Sequence, residues 1–140
     1  SGRIKHFTSA FGEHVIAKEV EAAMSEATKE FNFQIAEFTV APQINPKEGL
    51  PYHEWFIEFE KEPESLPKLS AFLDRRLQEQ NSYYKDLIEG NILKPLVIST
   101  VQKEGFQQYM KSIGKLGGQN KIPRLANDRK IADELEKLQQ

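Results

Sequence analysis

The sequence has no cysteine. That removes disulfides, thiolate nucleophiles and cysteine-ligated zinc together, and it fits a reducing, cytoplasmic setting. It has no long apolar run. Nothing approaches the roughly 18 residues a membrane helix needs, and no secretory pattern stands at the start. Histidine is sparse: His6, His14 and His53 are too scattered to define a metal site, and none is expected. Strong charge is missing too. A net charge of -2 over 140 residues gives no global pull toward nucleic acid or an anionic membrane. There is no Walker loop, no dinucleotide fingerprint after a strand, no serine elbow and no Ser/His/Asp arrangement.

What is present suits one globular domain. The length is enough for a real core. Nine Phe, four Tyr and one Trp argue against disorder. No internal repeat is visible. The chain opens Ser1-Gly2 without Met, the pattern expected of a piece cut from a longer protein.

Residues 3–12 alternate roughly and read as a short strand or hairpin arm turning at Gly12. A helix is expected over about 16–31, with Ile16, Val20, Ala23, Met24, Ala27 and Phe31 on one stripe. Residues 33–41 read as a strand with Ala36, Phe38 and Val40 on one face and Ile35, Glu37 and Thr39 on the other. The loop at 42–51 is either a functional flap or a tolerated insertion, with the insertion favoured. Residues 52–60 give the clearest strand: His53, Trp55, Ile57 and Phe59 face one way, Glu54, Glu58 and Glu60 the other. Glu54 and Glu58 lie roughly 13 Å apart by strand rise. That is too far for a glycosidase pair, so they are expected to form a solvated face that discourages edge pairing.

Ser65 and Pro67 announce a long helix to about residue 88, with Leu69, Phe72, Leu73, Leu77, Gln80, Tyr84, Leu87 and Ile88 on its buried stripe. Of Tyr83 and Tyr84, which point different ways, one can sit at the surface. Gly90 and Asn91 end the helix. Leu96–Val101 is a β-branched strand apolar enough to lie inside a sheet. A further helix carries Phe106, Tyr109, Met110 and Ile113 in phase and stops at Gly114. A last short helix, with Ile131, Leu135 and Leu138 in phase, can be capped by Asn127 or Asp128. The order predicts an α+β fold: a small mixed or antiparallel β-sheet with helices packed on it.

One stretch has no apolar period: Gly117-Gly118-Gln119-Asn120-Lys121-Ile122-Pro123-Arg124. Its glycines permit turns closed to other residues, and Pro123 biases Ile122 toward an extended form. Lys121 and Arg124 therefore sit on a shaped loop, one a compact cation and the other a fork, a pairing that suits phosphate or carboxylate. Between residues 111 and 130 there are six cations against one acid, Asp128, a net +5. Three uses are open: a phosphate-handling loop, a modest nucleic-acid patch, or a docking face for another domain. Stacking aromatics are missing from the loop, which weakens the second.

Four runs in order carry a resemblance: residues 2–13 from Gly2-Arg3-Ile4-Lys5, residues 53–60 from His53-Glu54-Trp55-Phe56, Asn81-Ser82-Tyr83-Tyr84, and residues 115–125 around Lys121-Ile122-Pro123-Arg124. Together they resemble the C-terminal domain of the auxin-responsive acyl-acid-amido synthetase family of acyl-adenylate-forming enzymes, in its bacterial branch. The resemblance implies that residues 1–12 hold a hinge, with Arg3 and Lys5, and the first strand or hairpin, and that residues 13–140 form a lid. It implies a ligase that uses ATP and Mg2+ to adenylate a carboxylic acid and then joins the acyl group to an amino acid. Its partners would be the chain's own N-terminal adenylating domain and the small acid and amino acid substrates. Lys121 would be the catalytic lysine, with Arg124, Gly117, Gly118 and Gln119 near nucleotide or phosphate. Leu125 stands where the plant pattern has a cysteine, so plant substrates do not carry over. The piece alone is expected to be inactive and to hold no cofactor. The alternative is a stand-alone module that binds a phosphorylated or nucleic-acid partner through residues 111–130.

Overall fold

A computed structural model describes residues 17–43, 49–113, 125 and 129–137. The fold is built around one strand. β1 (Gln34–Gln43) and β2 (Tyr52–Lys61) pair antiparallel, β3 (Val97–Thr100) pairs parallel with β2, and the sheet order is β1-β2-β3. β2 is thus central, and its residues 53–59 are all buried. The small α+β domain with a mixed sheet flanked by helices is the predicted fold class.

The first face of the sheet carries the larger core. Trp55, Ile57 and Phe59 of β2 pack with Phe38 and Val40 of β1. Over them lie α1 (Ala17–Glu30), through Val20, Ala23, Met24 and Ala27, and α2 (Leu66–Gln80), through Leu69, Leu73 and Leu77. α3 (Ser82–Glu89) adds Tyr84 and Leu87. Each of the larger aliphatic and aromatic side chains among them contributes about 1.5–3 kcal/mol by leaving water. Trp55 lies parallel to Phe38 with ring centroids 6.0 Å apart. The indole N–H of Trp55 meets no acceptor among the described residues.

The second face carries a smaller core. Phe56 of β2 and Ala41 of β1 meet Phe106 of α4 (Gly105–Ser112) and Ala132 and Leu135 of α5 (Lys130–Glu136). Glu54 and Glu58 point to this side, and they are only 6% and 8% exposed. The expected solvated face is therefore wrong. β2 is no edge, and α4 and α5 cover the side that alternation alone assigns to water.

Four further expectations are corrected. The alternation of β1 breaks at Ala36, where Ile35 pairs with Phe59 but Glu37 pairs with Glu58. One extra residue on β1 makes a bulge, so Ile35 packs against the first core with Phe38 while Ala36 is exposed. The long helix is two helices. Asn81 sits between them in an extended conformation, φ -139° and ψ 102°. Its N–H bonds back to Leu77 O at 2.9 Å, and its side-chain oxygen caps α3 by accepting from the Tyr84 N–H at 3.0 Å. Gln80 is exposed and does not belong to the stripe. β3, expected inside a sheet, is half-buried and last in the described sheet order, with Leu96 and Val101 buried at its ends.

Local expectations hold elsewhere. Ser65 caps α2 by accepting from the Lys68 N–H at 3.3 Å. Tyr84 is fully buried and Tyr83 is 39% exposed. Gly90 caps α3, and Asn91 follows with φ 57°. Two expectations fail here: Ile113 falls just past α4 and is exposed instead of joining its apolar stripe, and the cap of α5 comes later than Asn127 or Asp128. At the start of α5 the capping position belongs to Arg129. Asn127, Asp128 and Leu138 lie outside the described residues, as does the strand or hairpin arm expected at 3–12.

Candidate functional site

Every residue singled out for chemistry lies outside the described residues: Lys121, Arg124, Gly117, Gly118 and Gln119 in the loop, Arg3 and Lys5 near the start. The described residues on either side of the loop are α4 before it and Leu125 after it. Leu125, directly after Arg124, bridges Val40 of β1 in parallel fashion and packs on the first core. Four residues later Arg129 lies over the second core.

Arg129 is the centre of a charge cluster. Nη1 donates to Glu54 Oε1 at 2.8 Å, Nη2 to Glu136 Oε2 at 2.5 Å, and Nε lies 3.4 Å from Asp133 Oδ1. Its guanidinium carbon stands 5.8 Å from the Phe56 ring centroid. The other oxygen of Glu54 accepts from Ser99 Oγ of β3 at 2.5 Å. Next to this cluster Tyr52 has its phenol pKa raised, first by burial and then by the Glu54 charge, with Arg129 opposing. A guanidinium shared among three carboxylates is committed to the protein. Arg129 thus leaves the set of cations that composition assigns to the basic segment.

Glu58 has a different task. α4 starts at Glu104, a residue with φ 66° that offers no side-chain cap of its own. The Glu58 carboxylate supplies it from the sheet, accepting from the N–H of Glu104 at 2.7 Å and of Phe106 at 3.3 Å. A carboxylate at a helix N-terminus meets both unpaired donors and the positive end of the dipole. Glu54 and Glu58 therefore share a strand face without forming a catalytic pair.

On the first face Asp74 of α2 is buried and was not foreseen. Its Oδ1 accepts from the Tyr84 hydroxyl and from the Leu96 N–H at 3.2 Å, and Oδ2 accepts from Gln78 at 2.7 Å. Burial and the Asp74 charge push the Tyr84 phenol well above its usual range. An open depression lined by Pro67, Ser70, Asp74, Arg75, Gln78 and Pro95 adjoins these groups. Asp74 and Ser70, which donates to Leu96 O at 3.0 Å, are already engaged within the fold. His53 is buried against Tyr84, ring centroids 5.6 Å apart, and loss of water lowers its pKa to about 4. Among the described residues no three His, Cys, Asp or Glu side chains converge on a metal position. No described helix is long and apolar enough to cross a membrane.

The fold has solved counterparts. A structure described as GH3.15 acyl acid amido synthetase matches 87% of this chain with a TM-score of 0.65 at 17% identity. A second, AtGH3.15 acyl acid amido synthetase in complex with 2,4-DB, gives 0.66 over the same share at 17% identity. The chain spans about a quarter of their length, 24% and 23%. At this identity the likeness establishes the fold class. Residues 18–130 match the GH3 family C-terminal domain, and the chain belongs to that family. No curated protein matches it.

Proposed function

We propose that this chain is the mobile C-terminal domain of an ATP-dependent acyl-acid amido ligase, one of the bacterial branch, acting in the cytoplasm. The observation that carries the reading is the family match over residues 18–130. A chain spanning about a quarter of two synthetases supports the presence of a larger adenylating domain elsewhere in the protein. In this reading residues 1–12 are the hinge, with Arg3 and Lys5, and the rest closes over the site for adenylation and rotates for transfer to the amino acid.

Lys121 is the residue that touches the reacting oxygens. A compact charge on a loop stabilises negative charge as it shifts onto phosphoryl and leaving oxygens. Arg124 adds a fork for phosphate or carboxylate, and Gly117, Gly118 and Gln119 bring backbone close to the nucleotide. ATP and Mg2+ belong to the adenylating domain. The described residues here bring no metal-ligand set together. The commitment of Arg129 to three carboxylates removes one cation from the alternative reading as a phosphate- or nucleic-acid-binding module.

The test is pyrophosphate release by the full-length protein over a panel of carboxylic acids. Acid-dependent release is expected there and none from the 140-residue chain alone, which lacks the walls that orient both substrates. Release by the short chain, or none by the full protein with any acid, sinks the reading.

A further inference from the structure

The two faces of the sheet are held in different ways. Among the described residues the first core has seventeen buried members, and none comes from α4 or α5. The second has six, of which those helices supply Phe106, Ala132 and Leu135. α4 and α5 are eight and seven residues long. Helices so short do not persist alone in water, where about 12–15 residues are needed even with favourable sequences. Neither carries a side-chain cap of its own. Leaving the sheet therefore means unfolding.

β2 supplies what both helices lack. Glu58 caps α4 through the N–H groups of Glu104 and Phe106, and Glu54 holds Arg129 at the start of α5 at 2.8 Å. The entry to α4 is strained as well. Glu104 stands at φ 66°, a left-handed conformation that a residue with a Cβ adopts at a cost. The Glu58 bond holds that conformation, and opening relieves it. The two helices also depend on each other. Phe106 of α4 and Ala132 and Leu135 of α5 share one core, with Tyr109, Met110 and Ile131 packed against it. Leu125, which lies between the helices in sequence, packs on the first core instead and bridges Val40.

We infer that α4 and α5 form one layer that detaches from the sheet as a unit while the first core stays closed, with Glu58 and Glu54 as its two latches. The opened form loses both short helices, returns Glu54 and Glu58 to water and bares Phe56 between them. α1, α2, α3 and the pairing of β1 with β2 remain.

Native-state hydrogen exchange of the full-length protein, read by mass spectrometry over a series of low urea concentrations, tests this. Residues 105–112 and 130–136 should exchange through one shared opening with a shallow urea dependence. Residues 20–27 and 69–77 should be protected about tenfold better or more, and should open with a steeper dependence. Glu58→Gln alters a contact with α4, yet it should speed exchange in α4 and α5 alike, by about tenfold. Glu54→Gln, which alters the contact with Arg129, should do the same to both. Val20→Ala weakens the first core in the closed and opened forms equally. It should speed exchange in α1 and α2 by about tenfold and leave α4 and α5 within about twofold.

A single urea dependence shared by α1, α2, α4 and α5 overturns the proposal, since the domain then opens only as a whole. So does acceleration by Glu58→Gln confined to α4, which makes the helices fray one by one. Equal acceleration of all four helices in Val20→Ala has the same force. The wild-type urea series alone can give the first of these results, so a variant that fails to fold does not shield the proposal.

Discussion

Glu58, in the middle of the central strand, accepts a hydrogen bond at 2.7 Å from the backbone N–H of Glu104, 46 residues away in sequence. The same carboxylate reaches the N–H of Phe106, so one strand residue caps the helix that covers its own sheet face. Glu58→Ala should lower stability by about 2–3 kcal/mol, because it leaves buried donors without an acceptor. Glu58→Gln keeps one acceptor oxygen and should cost roughly half as much. Urea unfolding of the two variants beside the wild type measures both. A change below about 0.5 kcal/mol for Glu58→Ala would show that the cap is dispensable.

His53 makes the fold sensitive to acid. Its pKa falls from an ordinary 6.5 to about 4 on burial, so below 6.5 the unfolded chain binds a proton that the folded one refuses. This contribution is fully present above pH 6.5 and is lost as pH falls toward 4. It amounts to about 3 kcal/mol by linkage. Denaturation midpoints measured from pH 7.5 to 4.5 should hold down to about pH 6.5 and then fall in the wild type. In His53→Leu the slope over that window should shrink.

Asn81 should be costly to replace for its size. It ends α2, caps α3, and its side-chain amide donates to Glu19 of α1 at 3.1 Å. Asn81→Ala should lose about 1–2 kcal/mol, the upper part of the range for a helix cap. Asn81→Asp, which retains the capping oxygen but sits beside Glu19, should fall between the two. Thermal unfolding by circular dichroism reads the order of the three proteins.

Lys121→Ala in the full-length enzyme should slow adenylation by about a hundredfold or more, while ATP affinity changes little. Aminolysis of supplied acyl-adenylate should be spared, because in the proposed cycle the lid rotates before that step. Equal losses in both single-turnover steps would remove Lys121 from the adenylation role. No loss in either would make the glycine-rich loop a spacer.

The helices and the central strand were legible because their apolar residues repeat at the period of the element. Val20, Ala23, Met24 and Ala27 are buried as the stripe requires, and His53, Trp55 and Ile57 share the face that alternation gives them. The failures share a cause. Asn81 breaks a helix without breaking the apolar phase, since Tyr84 and Leu87 continue onto the same core. Ala36 bulges because of its pairing with β2, which no local pattern records. Glu54 and Glu58 look solvated until their partners are known, and those partners lie 75 and 46 residues further on. Two glutamates in phase on an otherwise apolar strand hint at covered polar work, but nothing nearby names Arg129. The reading of the loop with Lys121 and Arg124 comes from composition and resemblance, and the loop lies outside the described residues.

The two-faced burial of β2 has a consequence for a chain made from its N-terminus. All the buried contributors to the first core precede residue 97, so that core can close early in synthesis. The second face must wait for α4 and for Arg129. During that interval the bare side of the sheet shows Phe56 flanked by two carboxylates. Glu54 and Glu58 then stand hydrated and charged, where an all-apolar strand would recruit a neighbouring chain. The same two side chains that later tie down α4 and α5 guard the unfinished domain while those helices are still to come.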